Sequence, residues 1–173
     1  MASEILSEPT ATVLVGMADL AVSQDASVTL CSHPLGACLG VAIYDPATKT
    51  GGILHSLLPT SNIDPLRAAT RPGMFLDTGM AAMLARAQAS GAKRENLMVY
   101  VTGGAQIMDD SIHFNIGKRN YDAFTEILSQ LNLTIYAEDV GGRANRTMQL
   151  NLATGEVRLK YSGQAKMKVL CKQ

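Results

Sequence analysis

The sequence lacks any block of lysine or arginine, and its 15 basic and 15 acidic residues cancel to a formal net charge of zero. Such a balance argues against binding to nucleic acid or to an anionic membrane surface. No stretch approaches the roughly 18 uninterrupted apolar residues that a membrane span needs. The N-terminal residues contain no basic segment followed by a long apolar run, so we expect no signal peptide. These absences predict a cytoplasmic protein that neither binds nucleic acid nor inserts into a membrane.

Cysteine and histidine are scarce, with three of each. An odd number of cysteines in a cytoplasmic chain argues against a disulfide framework. No two cysteines have CxxC spacing, and the histidines form no recognisable zinc pattern. Cys31 and His33 are close in sequence, but two ligands are too few for a metal site. We therefore expect neither a metal nor a cofactor.

The chain also lacks internal repeats, low-complexity tracts and an obvious linker, so we expect a single domain over residues 1–173. Short β-branched or aliphatic runs bounded by Gly, Pro, Asp or Asn predict strands. The predicted strands are Ala11–Met17, Val28–Cys31, Leu39–Tyr44, Gly52–Leu57, Leu97–Thr102, Leu133–Glu138, Thr147–Leu152, Glu156–Tyr161 and Met167–Cys171. Thr154 and Gly155 predict a hairpin turn between the seventh and eighth of these.

Helical spacing of apolar residues predicts two helices, Pro72–Ser90 and Asn120–Leu131. Asn120 is interpreted first as the N-cap of the second helix and second as a site residue. The methionines of the first helix are expected in the core, where Met commonly fills gaps. Many strands and two amphipathic helices predict an α+β fold (an α/β sandwich) with mixed or antiparallel β layers flanked by the helices.

Cys38 and His55 lie on two predicted strands that flank the turn Asp45–Thr48. Asp and Pro at the first two positions of that segment are typical of a type I turn. If Tyr44 faces Lys49, the antiparallel register also sets Cys38 directly opposite His55, with Cβ atoms roughly 5 Å apart. A slip in the loop would move the two side chains to a diagonal position or to opposite faces.

A thiol opposite an imidazole has a chemical meaning, because the imidazole can take the thiol proton and leave a nucleophilic thiolate. The resulting imidazolium can protonate a leaving group, and backbone amides of Gly36, Ala37 and Cys38 can form an oxyanion hole. A competing interpretation is that Cys38 is a small buried hydrophobe among glycines and that His55 is structural. Cys31 and Cys171 are expected in the core, and His33 and His113 in loops or at the surface.

The chain resembles the CheD family of chemoreceptor glutamine deamidases in a series of short segments. The order and spacing of these segments carry the resemblance rather than any one of them. They are Leu35–Gly40 with Cys38, Gly52–Pro59 with His55, Asp77–Thr78, Gly103–Ala105, Asn115–Asn120 and Ala137–Gly142 with Arg143 and Arg146.

The resemblance implies a cysteine-dependent amidohydrolase that converts chemoreceptor glutamines to glutamate through a thioester, with Cys38 as nucleophile and His55 as base. It also implies the α/β sandwich fold of deamidating bacterial toxins and binding to CheC, a phosphatase of the response regulator CheY. Some family members hydrolyse receptor methyl esters. The alternative function is a weakly active or non-catalytic regulator that binds CheC. We expect a monomer.

Two positions depart from the family pattern. The third catalytic residue of the family is a Thr six positions before the Cys, where this chain has Ser32. Ser keeps the hydroxyl but lacks the β-methyl group that stiffens Thr. Thr29 is the alternative third residue, and we favour Ser32. Ala37 replaces the Ser that usually precedes the Cys.

The remaining motifs allow two interpretations each. Gly103 and Gly104 can border the active-site cleft, contributing to substrate or oxyanion binding, or can form a tight turn after a strand. Asp139–Gly142 with Arg143 can shape a substrate groove or a CheC surface, or can be a turn beside a solvated Arg.

Overall fold

The computed structural model describes residues 11–107 and 115–172. The expectation for His113 concerns a residue outside these ranges. The helices are α1 (Pro65–Thr70), α2 (Leu76–Ala89) and α3 (Ile116–Leu131). The strands are β1 (Ala11–Val15), β2 (Asp19–Ser23), β3 (Val28–Ser32), β4 (Leu39–Asp45), β5 (Thr50–Ser56), β6 (Met98–Gly103), β7 (Ile135–Val140), β8 (Arg146–Asn151), β9 (Val157–Tyr161) and β10 (Lys168–Val169).

The strands form two five-stranded sheets. The flanking sheet has the order β1-β3-β8-β9-β10, and the central sheet has the order β2-β5-β4-β6-β7. Both sheets are mixed, because β1 pairs with β3 and β6 with β7 in parallel while their other pairings are antiparallel. The parallel β6–β7 pair requires a crossover connection, and α3 supplies it.

Two apolar cores separate three layers. Ala42 and Ile53 of the central sheet pack with Leu30 and Met148 of the flanking sheet. A second core joins the opposite face of the central sheet to α2 and α3; its members include Val41, Ile43, Leu54, Met80, Met83, Phe124 and Leu128. Neighbouring residues of β4 thus alternate between the two cores, as the two-residue period of a strand requires. The predicted α+β class is confirmed, and so is the burial of the helical methionines.

The structure corrects several predicted boundaries. β1 ends at Val15, and the chain turns at Ala18, in the left-handed region at φ 60°, before the unpredicted strand β2. The helix α1, also unpredicted, begins at Pro65 with Asp64 as its side-chain cap. Asn120 is not an N-cap, because α3 begins four residues earlier and Asn115 caps it. Cys31 is buried as expected, whereas Cys171 is exposed, contrary to the core position predicted for it.

Candidate active site

His55 lies near the end of β5, with its side chain on the face of the central sheet that contacts the flanking sheet. It pairs with Gly40 of β4 and Asp19 of β2. It shares this face with Ile53, two residues earlier, which belongs to the core between the sheets. The residue is completely buried, and neither ring nitrogen has a hydrogen-bond partner among the described residues. Leaving a buried imidazole without a partner costs free energy, and such groups in native proteins commonly have a catalytic role or bind water.

The β4–β5 register differs by two residues from the predicted one. Tyr44 pairs with Gly51 rather than Lys49, and Asp45 belongs to β4, where it pairs with Thr50. Extending this register by one residue beyond β4 sets Cys38 beside Leu57 and makes His55 its diagonal neighbour. A shift of two residues preserves the face of every side chain, so both groups still point toward the flanking sheet. The prediction of a directly opposed pair is therefore wrong, whereas the shared face is retained.

A tight corner between β1 and β2 joins the two sheets beside His55. The N–H of Ala18 donates to the carbonyl oxygen of His55 at 2.9 Å, and the N–H of His33 donates to Val15 at 3.0 Å. The corner is thus hydrogen-bonded to β5 at His55 and to the residue that follows β3, one in each sheet. His33 is exposed, as expected from the sequence.

Ser32 is the last residue of β3 and is 2% exposed. By strand alternation it shares a face with Leu30, which lies in the core between the sheets, so Ser32 also faces the central sheet. Its Oγ accepts a hydrogen bond from the N–H of Met148 at 3.0 Å, which leaves the hydroxyl proton for another acceptor. Thr29 lies on the opposite face of the same strand, so the geometry favours Ser32 over Thr29 as a partner for His55.

The segment before β4 carries Cys38 at an intermediate exposure. Two carbonyl oxygens of this segment accept backbone hydrogen bonds: the N–H of Ala105 donates to Gly36 O, and the N–H of Gly104 donates to Cys38 O, both at 2.9 Å. Gly103 has φ +94°, and a Cβ at that position would overlap the Cys38 carbonyl oxygen. Because the N–H of Gly104 is already engaged, it is not a free oxyanion donor, and both glycines instead support the segment that carries Cys38.

The same segment is anchored to the flanking sheet through Leu35 and Arg146. Their backbones exchange two hydrogen bonds, from Leu35 N–H to Arg146 O at 2.7 Å and from Arg146 N–H to Leu35 O at 3.1 Å. The side chain of Arg146 is 2% exposed, forms an ion pair with Asp139 at 2.6 Å, and donates to the carbonyl oxygen of Gly141. Arg146 therefore fixes one end of the Cys38 segment from inside the protein.

Burial determines the ionisation of the two reactive groups. It lowers the pKa of His55 to about 4, with a smaller contribution from the charge of His33. Burial also raises the pKa of the Cys38 thiol, and hydrogen bonding from its own backbone N–H partly offsets this. Both groups are therefore neutral at pH 7 in this structure. The sequence-based picture of a thiolate–imidazolium pair does not describe the resting site, and a neutral imidazole is the form that can accept a proton.

Sequence reasoning assigned no specific role to two residues that hold the site together. Asn120, interpreted as a helix cap first and a site residue second, is a fully buried residue in the interior of α3, and its amide donates to Ala37 O and Leu57 O. Arg146 was recognised only as part of a motif. Both lie in the matching segments, but no periodicity or spacing rule distinguishes a polar residue that reaches a carbonyl oxygen from one that faces solvent.

Comparison with known proteins gave consistent matches. A family model described as CheD chemotactic sensory transduction matches residues 57–161, well over half of the chain. A protein of Syntrophus aciditrophicus named probable chemoreceptor glutamine deamidase CheD 1 is 41% identical over 151 residues, which cover 87% of this chain and 94% of the relative.

Two further relatives give similar matches. A protein of Solibacter usitatus with the name probable chemoreceptor glutamine deamidase CheD is 40% identical, covering 89% of this chain and 91% of its own. A protein of the same name from Pyrococcus abyssi is 36% identical, covering 86% and 90%. The family model begins after Cys38 and His55. The three pairwise alignments span 151, 154 and 150 of the 173 residues, so each of them must include residues 32–55, where the candidate site residues lie.

Among the described residues, no helix is long and apolar enough to cross a membrane.

Proposed function

Because the chain belongs to the CheD family, we propose that it deamidates glutamine side chains of chemoreceptors to glutamate and releases ammonia. The observation that supports this most directly is a completely buried, neutral imidazole on the face of the sheet shared with Cys38, whose two nitrogens have no hydrogen-bond partner within residues 11–107 and 115–172. Such a group is available to take a proton from a nearby thiol. The relatives' names supply the substrate class.

The first half of the proposed reaction forms a thioester. His55 takes the thiol proton as Cys38 Sγ attacks the carboxamide carbon of the glutamine, because a free thiolate does not accumulate in the resting site. The tetrahedral intermediate then collapses as the C–N bond breaks. His55 returns the proton to the departing nitrogen, and ammonia leaves.

The second half consumes one water molecule. His55 takes a proton from water, the resulting hydroxide attacks the thioester carbon, and the C–S bond breaks to give glutamate. The proton returns to the Cys38 thiolate, so the enzyme is regenerated. We propose that, during the reaction, the second lone pair of Ser32 Oγ accepts the N–H of one ring nitrogen, which turns the unprotonated nitrogen toward Cys38 and so orients His55. We also propose that the chain is one CheD-like domain that acts as a cytoplasmic monomer.

The test is to incubate the protein with a purified cognate chemoreceptor and to map the receptor peptides by mass spectrometry. The expected result is the mass increase of an amide-to-acid exchange at particular glutamines, with a matching amount of ammonia. Ser32→Thr should keep the activity, whereas Ser32→Ala should lower it. Absence of both ammonia and modified glutamines on every cognate receptor would contradict the proposal, and release of methanol without ammonia would identify a methylesterase instead.

A second candidate is a CheC-binding regulator with weak or no deamidase activity. It is favoured by the neutral resting thiol and by Ser32 and Ala37, which depart from the family pattern. If Cys38→Ala leaves the chemotaxis phenotype of the organism intact, whereas surface variants that prevent CheC binding abolish it, the regulatory function is correct.

A further inference from the structure

Asn120 connects the two chain segments that carry the proposed nucleophile and base. Its side-chain amide nitrogen donates to the carbonyl oxygen of Ala37 at 3.1 Å and to that of Leu57 at 3.0 Å. Ala37 directly precedes Cys38, and Leu57 follows His55 by two residues. Both neighbours of this nitrogen are acceptors, which fixes the orientation of the amide group.

Close packing of α3 brings Asn120 to this position. Gly117 lies one turn earlier in the helix, and a Cβ there would overlap the carbonyl oxygen of Gly104. Gly104 in turn donates its N–H to Cys38 O at 2.9 Å. The helix, the end of β6 and the Cys38 segment are thus in continuous contact. Among the described residues, only Asn120 donates a hydrogen bond to the carbonyl oxygen of Ala37, in the peptide between residues 37 and 38.

That hydrogen bond determines where the N–H of Cys38 points. The described peptide bonds are all trans, so the carbonyl of Ala37 and the N–H of Cys38 belong to one plane and point in opposite directions. Because the carbonyl points at α3, the N–H points away from α3. The helix covers the face of the central sheet opposite to the one that carries His55, so the N–H is directed toward the side of the nucleophile and base.

Two further observations agree with this direction. The N–H of Cys38 is close enough to its own sulfur to lower the pKa of the thiol against the effect of burial. In residues 11–107 and 115–172, this N–H donates to no other backbone oxygen. It therefore lies beside the atom that would attack the substrate and is available to the oxygen of a tetrahedral intermediate, which would develop its charge there.

We propose that Asn120 is a positioning residue that holds the Ala37–Cys38 peptide so that the Cys38 N–H stabilises the oxyanion during acyl transfer. The inference rests on the proposed function insofar as it takes Cys38 as an acyl-accepting nucleophile. Asn120 touches neither the substrate nor the reacting atoms. Without its hydrogen bond, the peptide can rotate and present its carbonyl oxygen where a donor is needed.

The test compares two reactions at Cys38 in the full-length protein and in Asn120→Leu. Acetylation by p-nitrophenyl acetate forms an S–C bond through a tetrahedral oxyanion and expels p-nitrophenolate. Alkylation by iodoacetamide displaces iodide directly and forms no oxyanion. Mass spectrometry of the Cys38 peptide measures both rates and separates them from reaction at the exposed Cys171. We expect Asn120→Leu to slow acetylation by about tenfold or more and alkylation by less than about twofold.

Leu128→Ala is the control for stability, because it truncates a buried side chain of the same helix about two turns beyond Asn120. It should leave both rates at Cys38 unchanged. If Asn120→Leu does not fold, as judged by circular dichroism, Asn120→Ser is measured in the same way. Equal loss of both reactions, or loss of neither, would overturn the proposal. A wild-type protein that undergoes acetylation but deamidates no receptor would contradict the proposed function alone.

Discussion

His55 combines complete burial with a strongly lowered pKa, and this combination makes its ionisation a property of the whole fold. In the unfolded chain the imidazole gains a proton near its ordinary pKa of about 6.5, whereas in the folded protein it does so only near a pKa of about 4. Between these values the unfolded state binds the additional proton. Stability therefore falls as the pH is lowered through this window and is fully present above it.

The lowered pKa of His55 predicts a pH-dependent difference in stability between the wild type and His55→Leu. On lowering the pH from 7 to 4, the free energy of unfolding of the wild type should fall by about 3 kcal/mol more than that of the variant. Urea denaturation at a series of pH values measures both. The carboxylates titrate in both proteins, so the difference isolates His55. Parallel pH profiles would show that the histidine is hydrated and titrates normally in the folded protein.

The segment between Leu35 and β4 is held by its neighbours rather than by its own secondary structure. Hydrogen bonds from Ala105, Gly104 and Asn120 reach three successive carbonyl groups, those of residues 36, 37 and 38. Gly103 is the point at which the end of β6 approaches this segment most closely. A rigid support of this kind is what a nucleophile needs if its N–H and thiol are to stay aligned with the substrate.

Gly103→Ala tests that support. The substitution adds a Cβ that must displace the Cys38 carbonyl, in addition to the strain of a positive φ. We expect a loss of stability greater than the roughly 1 kcal/mol typical of Gly→Ala at positive φ, together with loss of deamidation. Gly91→Ala is the matched control, because Gly91 has φ +95° but open space around it. It should show only the smaller stability loss and normal activity. Equal behaviour of the two variants would refute a supporting role for Gly103.

The elements that sequence reasoning identified well are those with strong periodicity. The apolar stripes of α2 and α3 and the hairpin at Thr154 and Gly155 follow from local chemistry and are found in the structure. The helix α1 had a usable signal, since Asp64 followed by Pro65 is a typical helix start. The strand β2 had a weaker signal, because the left-handed residue of the chain reversal before it is Ala18 rather than a glycine.

The β4–β5 register shows why the local geometry of the site was harder to predict. Asp45 was assigned to the turn because Asp-Pro is a turn signal. In the structure its carboxylate accepts from the N–H of Ala47 at 2.8 Å and from that of Lys93 at 2.9 Å. The second bond comes from a residue far away in sequence and holds Asp45 inside the strand. Contacts of this kind depend on the complete fold, and the same holds for Asn120 and Arg146.

The two sheets are joined near the site in two ways. One is the corner from β1 to β2, and the other is the buried network around Arg146. Asp139 of the central sheet accepts from Arg146, Tyr161 and Lys168 of the flanking sheet at 2.6, 2.6 and 2.9 Å. Arg146 also lies over the ring of Tyr161, at 5.2 Å from its centroid. The network therefore holds the charged Arg146 beside Leu35, at the start of the Cys38 segment.

We predict that Arg146→Met destabilises the protein by about 3–5 kcal/mol, because it breaks a buried pair and leaves several carbonyl groups without a donor. Lys168→Met provides the comparison, since Lys168 binds the same carboxylate but its side chain is 54% exposed. Its loss should cost less than about 1 kcal/mol. Urea unfolding of both variants measures this. A cost for Arg146→Met as small as that for Lys168→Met would mean that the network does not hold the sheets together.

The most direct test of the account concerns Cys38 itself. Ammonia release from a cognate chemoreceptor should be measured for the wild type, for Cys38→Ala and for Cys171→Ala, whose cysteine is exposed. We expect Cys38→Ala to lower the rate by about a thousandfold or more and Cys171→Ala to retain the wild-type rate. A folded Cys38→Ala protein that releases ammonia from the receptor at the wild-type rate would contradict the central claim that Cys38 is the nucleophile.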